Sequence, residues 1–265
     1  MPIDEKKLKT TMLEASKAAA KESLKYFRSS LKIDNKYKIG FDPVTIADQN
    51  AETTIRDIIS MAFPEHSIKG EEFEDKKTNS PYTWVIDPID GTRSYISGLP
   101  VWGTLIGLKE NGKAIAGLMS QPYIGETFIA VGDSAEFTHQ GKTTKLQVRN
   151  TKALKNATMF TTDPKLFSNK GDFKAFQKLE EQVLLSRYGV DCYAFSLLAA
   201  GQIDLVIEPE LKPYDIAPLI AIIENAGGVV STWSGKRAEN GGNIIASATP
   251  KLHDRALDIL YKHLV

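Results

Sequence analysis

Apolar positions near the amino terminus return at about every third or fourth place: Leu8, Met12, Ala15, Ala19 and Phe27 share one face amid lysines. That spacing predicts an amphipathic helix over residues 4 to 28. A polar connection containing Gly40 and Pro43 follows. Thr45 with Asp48 then has the form of a helix start, and Ala51, Ile55, Ile58, Ile59 and Ala62 carry the helical spacing on until Pro64. From there the pattern shortens. Ser67 to Gly70 reads as a short strand leading into the acids Glu71 and Glu72, and Trp84-Val85-Ile86 as a buried strand rich in branched residues. Gly103 to Leu108 and Ala114 to Ser120 flank Glu110-Asn111-Gly112-Lys113, and Asn-Gly tolerates the positive dihedrals of a tight hairpin. Glu126 to Val131 and Thr143 to Val148 continue the meander, with a turn at His139-Gln140-Gly141-Lys142.

Beyond about Ala153 strands alternate with helices. Ala157 to Thr161 and Asp204 to Glu208 read as strands, Phe173 to Val183 and Cys192 to Ala200 as helices. A helix from about Asp215 to Asn225 buries Ile216, Leu219, Ile220 and Ile223 until Gly227-Gly228 stops it. Val229 to Ser231 and Asn243 to Ser247 supply further strands, and a last helix runs from about Lys251 to Leu264. The expected organisation is an α+β half with an antiparallel sheet over residues 1–150 and an α/β half over residues 151–265 that completes the site.

Composition narrows the partners. The 33 basic residues equal the 33 acidic ones, so no overall field favours nucleic acid or an anionic membrane, and binding must be sought in local sites. The single cysteine, Cys192, excludes an intrachain disulfide and a cysteine-rich zinc site, and fits a reducing, cytoplasmic setting. Residues 1 to 28 lack the apolar core of a signal peptide, and no segment is apolar for long enough to span a bilayer.

The candidate chemistry lies in Asp87-Pro88-Ile89-Asp90-Gly91-Thr92. A strand that ends in carboxylates delivers them to its carboxyl end, where open α/β sheets hold ligands. Pro88 fixes the turn, Gly91 admits a close approach to the backbone, and Thr92 can cap a short helix whose free amides face an anion. Asp87, Asp90 and the Ile89 carbonyl are hard oxygen donors. Two carboxylates about 4 Å apart repel by about 4 kcal/mol at an effective dielectric near 20, so a cation belongs among them. The four histidines are scattered, and oxygen-only ligation points to magnesium rather than zinc. Each piece also has an ordinary reading: the string as a surface turn, Asp215 as a complement to a helix dipole, and Glu71 as one solvated acid among Glu71, Glu72, Glu74 and Asp75.

Taken in order, Gly70-Glu71-Glu72, the Asp87 to Thr92 string, and Tyr214-Asp215 followed by Ala226-Gly227-Gly228 resemble the inositol monophosphatase family, from about residue 8 to the C-terminus. The resemblance implies an α-β-α-β-α sandwich, a homodimer and a magnesium-dependent phosphate monoester hydrolase. It implies two or three magnesium ions on Glu71, Asp87, the Ile89 carbonyl, Asp90 and Asp215. Glu71, Thr92 and Asp48 fall at catalytic positions, the last two where the family orients the nucleophilic water, and phosphate belongs against Asp90, Gly91 and Thr92. Asp48 reads equally as part of a helix start.

Ser186 to Ala194 aligns with the family's substrate loop, which places Gly189 and Asp191 against the substrate, Asp191 standing where inositol-type members have a small residue. Glu208 falls where the family contacts substrate hydroxyls. Two acids suit a small phosphorylated alcohol that bears an amine. Together with Ser97 to Thr104 and Leu211 to Asp215, they resemble the histidinol-phosphatase branch, with histidinol phosphate as the expected substrate. Inositol 1-phosphate, or a broad set of sugar and nucleotide phosphates, is the alternative. Some members of the family look like binding proteins that act with the transcription machinery. Asp191 also reads as an ion-pair partner of Arg187 or as a helix cap.

Overall fold

The computed structural model describes residues 3–29, 34–35 and 43–263. Helix α1 (Glu5–Tyr26) starts where the Asp4 side chain accepts the Lys7 amide at 2.9 Å, and it buries Leu8, Met12, Ala15 and Ala19 as the spacing requires. Strands β1 (Asp34–Asn35) and β2 (Pro43–Val44) form a small antiparallel pair; Gly40 lies outside the described residues. Thr45 caps α2 (Ile46–Ala62), accepting the Ala47 amide at 3.1 Å, while the Asp48 carboxylate accepts the Thr45 amide at 2.8 Å and its hydroxyl at 2.7 Å. The helix-start reading of Asp48 is therefore realised in full.

Strands β3 (Ser67–Gly70) and β4 (Tyr82–Asp90) are followed by the short helix α3 (Thr92–Ile96). Then come β5 (Gly103–Glu110), β6 (Lys113–Gln121), β7 (Glu126–Val131), β8 (Ser134–His139) and β9 (Lys142–Lys145). These seven strands form one sheet in chain order, parallel between β3 and β4 and antiparallel elsewhere. Sequence alone does not reveal β8, because only Ala135 and Phe137 among its six residues are apolar. The expected strand over Thr143 to Val148 ends at Lys145, and the chain then leaves the sheet, its Val148 amide reaching the Ala226 carbonyl at 3.0 Å.

The rest of the chain supplies β10 (Thr158–Thr161), α4 (Lys170–Glu180), β11 (Leu185–Tyr188), α5 (Tyr193–Ala199), β12 (Leu205–Leu211), α6 (Pro213–Asn225), β13 (Val229–Thr232), β14 (Gly242–Ser247) and α7 (Pro250–His263). The second sheet has the order β11-β10-β12-β14-β13, with β10 parallel to both its neighbours. Helix α4 begins three residues before the expected Phe173 because the Asn169 side chain accepts the Gly171 amide at 2.7 Å. Strand β11 replaces the loop expected there; its mostly exposed side chains carry no burial pattern to betray an edge strand. Leu264 lies outside the described residues.

Three apolar clusters fix the layers. Helices α1 and α2 cover one face of the first sheet through Leu8, Met12, Ile55, Ile59, Trp84 and Ile106. Helices α5 and α6 lie between the sheets, where Leu105, Met119 and Phe128 from the first meet Val206, Ile244 and Ala246 from the second. The alternate residues Leu205, Ile207 and Ile245 face outward, against Phe176 and Leu179 of α4 and Leu252 and Ala256 of α7. The result is the expected α-β-α-β-α sandwich. Helix α6 lies unusually close to the first sheet: Gly107 and Gly117, register partners on β5 and β6, both face Pro218. A Cβ on Gly117 would lie 1.7 Å from the Pro218 carbonyl oxygen.

On the far side of the second sheet, buried His253 bridges the hydroxyls of Ser231 at 2.8 Å and Ser247 at 3.0 Å. Burial pulls its imidazole down from 6.5 to about 4. As pH falls the unfolded chain takes up this proton first, so the contribution of His253 is complete above about 6.5 and is lost on the way to about 4. That loss amounts to about 3 kcal/mol. Urea unfolding at a series of pH values should show His253→Gln losing stability less steeply than the parent across this window.

Candidate active site

The pairing of β4 with β5 slips between Asp87, opposite Leu105, and Asp90, opposite Gly103. Pro88 cannot donate to a ladder, and it sits within this bulge, which turns consecutive oxygen donors out of the sheet end. The Asp87 carboxylate accepts the Ile89 amide at 3.0 Å, and the Thr104 hydroxyl ties down the Pro88 carbonyl at 2.8 Å. Gly91, with φ +84°, is the residue that caps α3; Thr92 is its first helical residue rather than the expected cap. The Thr92 hydroxyl donates to the Ile89 carbonyl at 3.1 Å. Buried Tyr95 donates to the Ser23 carbonyl at 2.7 Å and so locks α3 onto α1.

Asp215 arrives from the first turn of α6, where its carboxylate accepts the Lys212 amide at 2.7 Å. Its capping role and its place in the pocket coexist. Oxygens of Asp87, Asp90 and Asp215 lie within 4.8 Å of one another, and Glu71, just beyond β3, joins Asp87 in the same pocket. Burial raises Asp87 well above the usual carboxylate range, and the charges of Glu71, Asp90 and Asp215 add to it. Burial, then Asp215 and Asp191, do the same to Asp90. Asp215 is pushed up to about 7, mainly by burial and against the pull of the Lys212 amide. Asp87, Asp90 and Asp215 so placed ionise together only around a cation. Their oxygen-only donor set suits a hard divalent ion.

Above them opens a cavity of about 520 Å³ whose wall includes Thr92, Arg93, Asp191, Glu208 and Lys212. Asp191 adopts φ +45°, and its carboxylate goes to the Ser94 hydroxyl at 2.5 Å rather than to Arg187. It lies so close to Gly91 that a Cβ there would meet it at 3.0 Å. Burial raises Asp191, while Ser94 and the Arg93 charge pull it down. Across the cavity Glu208 accepts the Thr162 amide at 2.6 Å and its hydroxyl at 3.0 Å, and burial pushes it up to about 8.

Glu71, Asp87, Ile89, Asp90, Gly91, Thr92, Asp191, Glu208 and Asp215 thus line one pocket, as the sequence leads one to expect. Asp48 and Gly189 are not in its lining. Three partners escape the sequence: Ser94, which holds Asp191; Thr162, which holds Glu208; and Cys192, whose amide donates to Asp90 at 3.0 Å. All three contacts join distant parts of the chain, and no local pattern announces them.

A five-layer α/β sandwich holding clustered carboxylates at a bulged sheet end offers a seat for hard metal ions, and likeness to known proteins makes this the site of a phosphatase acting on phosphate monoesters. The chain belongs to the inositol monophosphatase family, whose profile matches residues 4–264. It is 42% identical over 255 residues to the chloroplastic bifunctional phosphatase IMPL2 of Arabidopsis thaliana, covering 90% of this chain and 70% of that protein. It is 35% identical over 264 residues to a histidinol-phosphatase of Streptomyces coelicolor, covering 97% of each. Among solved structures, an inositol monophosphatase from Zymomonas mobilis superposes with a TM-score of 0.84 at 35% identity, over 95% of this chain and 96% of that one.

Proposed function

We propose that the chain hydrolyses histidinol phosphate with magnesium, as a cytoplasmic homodimer. The observation that carries the substrate is the pair Asp191 and Glu208, two acids that line one cavity above the proposed metal-binding carboxylates. An amino alcohol brings a cation to this pair of acids, whereas a neutral polyol offers them only hydroxyl hydrogen bonds. The histidinol-phosphatase relative supports the same reading.

Glu71, Asp87, the Ile89 carbonyl, Asp90 and Asp215 are the residues that would hold two or three ions. Magnesium supplies positive charge to the phosphoryl and leaving oxygens and acidifies the attacking water. The chain's own groups do the rest. The amides of Gly91 and Thr92 hold the phosphate, the Thr92 hydroxyl orients the water, and Asp191 and Glu208 position the alcohol; Asp48, part of the α2 cap, and Gly189 lie outside the cavity lining and take no direct part. No side chain is phosphorylated along the way.

Initial rates on histidinol phosphate and inositol 1-phosphate test the substrate. The amino ester should lead in kcat/KM by roughly 10–100-fold, the worth of one charge-assisted contact. Asp191→Ala should erase that lead while leaving the inositol ester unharmed. An advantage for the inositol ester in the parent protein would overturn the assignment in favour of the second reading, which the match to the Zymomonas mobilis structure favours.

A further inference from the structure

We propose that Glu52 and Arg56 of α2 are positioning residues for Glu71, an inference that rests on the reading of Glu71 as a metal ligand. Glu71 lies where β3 has ended, on an irregular stretch with no ladder of its own. The backbone just after it is held by this pair of side chains. Glu52 is fully buried, at 0% exposure, and one of its oxygens accepts the Glu72 amide at 2.7 Å. Its other oxygen accepts Nε of Arg56 at 2.7 Å. The remaining guanidinium nitrogens donate to the carbonyls of Phe73 and Glu74, each at 3.2 Å. Backbone groups of three successive residues beyond Glu71 therefore end on one ion pair.

Two physical arguments separate this from an ordinary helix salt bridge. A Glu and Arg one turn apart on an exposed face contribute only about 0.3–0.5 kcal/mol, which would not offset burying the carboxylate. The return comes from what the pair holds, because a planar guanidinium can serve a carboxylate and two carbonyls at once and an ammonium cannot. Gly70 gives an independent sign. A Cβ there would lie 1.9 Å from the Glu52 carboxylate and 2.8 Å from Arg56, so the residue before Glu71 is bare backbone pressed against the pair. Its φ is not in the left-handed region, so space rather than conformation requires glycine.

Groups that orient metal ligands typically cost 10–100-fold in metal affinity when lost. The test is a magnesium titration of thermal stability, with phosphate release measured alongside, on Glu52→Gln, Arg56→Lys, Gly70→Ala and Glu71→Gln. The first three should raise the half-saturating magnesium concentration by roughly 10–100-fold, with turnover recovered at saturation. Glu71→Gln should lose both response and turnover. If Glu52→Gln does not fold, Arg56→Lys and Gly70→Ala decide. A lower melting temperature in these two with an unchanged half-saturation point means a structural role only and overturns the inference. A parental magnesium response in Glu71→Gln sinks instead the reading of Glu71 as a ligand.

Discussion

Asp87→Asn should abolish nearly all magnesium-dependent turnover while raising the melting temperature of the protein in EDTA. Asp87 is buried and faces Glu71, Asp90 and Asp215. Without a cation it destabilises the fold, because a buried carboxyl among acids must either bear repulsion or take up a proton that the unfolded chain does not need. An amide removes the charge and keeps the shape, and its oxygen still accepts the Ile89 amide that Asp87 holds at 3.0 Å. Turnover has no such reprieve. Losing a ligand common to the cluster forfeits several kcal/mol of phosphoryl-charge stabilisation, or at least about 10³-fold in rate. Phosphate release and differential scanning fluorimetry, each with and without magnesium, read both effects. Turnover close to parental would refute the ligand assignment, and a lower melting temperature in EDTA would refute the account of charge strain.

The second large effect is structural. Gly117→Ala places a methyl group 1.7 Å from the Pro218 carbonyl oxygen, so α6 or the sheet must shift by more than an ångström. Ordinary overpacking costs about 1–3 kcal/mol; a backbone-on-backbone collision between two layers should exceed about 4 kcal/mol and lower the melting temperature by at least about 10 °C. Pro218→Ala should not rescue it, because the atom that is met belongs to the main chain. Asp215 stands at the start of the same helix, so whatever fraction folds should also respond more weakly to magnesium. A melting temperature within a degree or two of the parent would show that the layers yield more readily than their geometry suggests.

Much of the site is written locally. Asp87 to Thr92 is a continuous string whose proline and glycine impose the bulge and the cap, so the donors and their exit from the sheet follow from neighbours in the chain. The helices of the sandwich declare themselves through periodicity, as Leu8, Met12 and Ala15 do in α1. What stays hidden depends on remote parts of the fold. Strand β8 alternates only weakly, and Glu52 with Arg56 looks like a solvated helix pair until β3 and the following turn are laid against it. Gly107 and Gly117 read as interruptions in good strands, because the helix that needs their missing side chains lies far downstream. Asp48 had two readings, and the capping geometry realises one while the pocket lining omits it.

The wedging of α6 between the two sheets has a consequence for synthesis. Helices α5 and α6 supply the middle layer, and β13 and β14 close the second sheet only after them. A ribosome-bound fragment that stops short of Pro213 carries Glu71, Asp87 and Asp90 but neither the fourth acid nor the helix that presses it into place. On the proposed ligand set, a cation would be captured only after α6 has emerged, and its retention would report that the two sheets have closed around that helix.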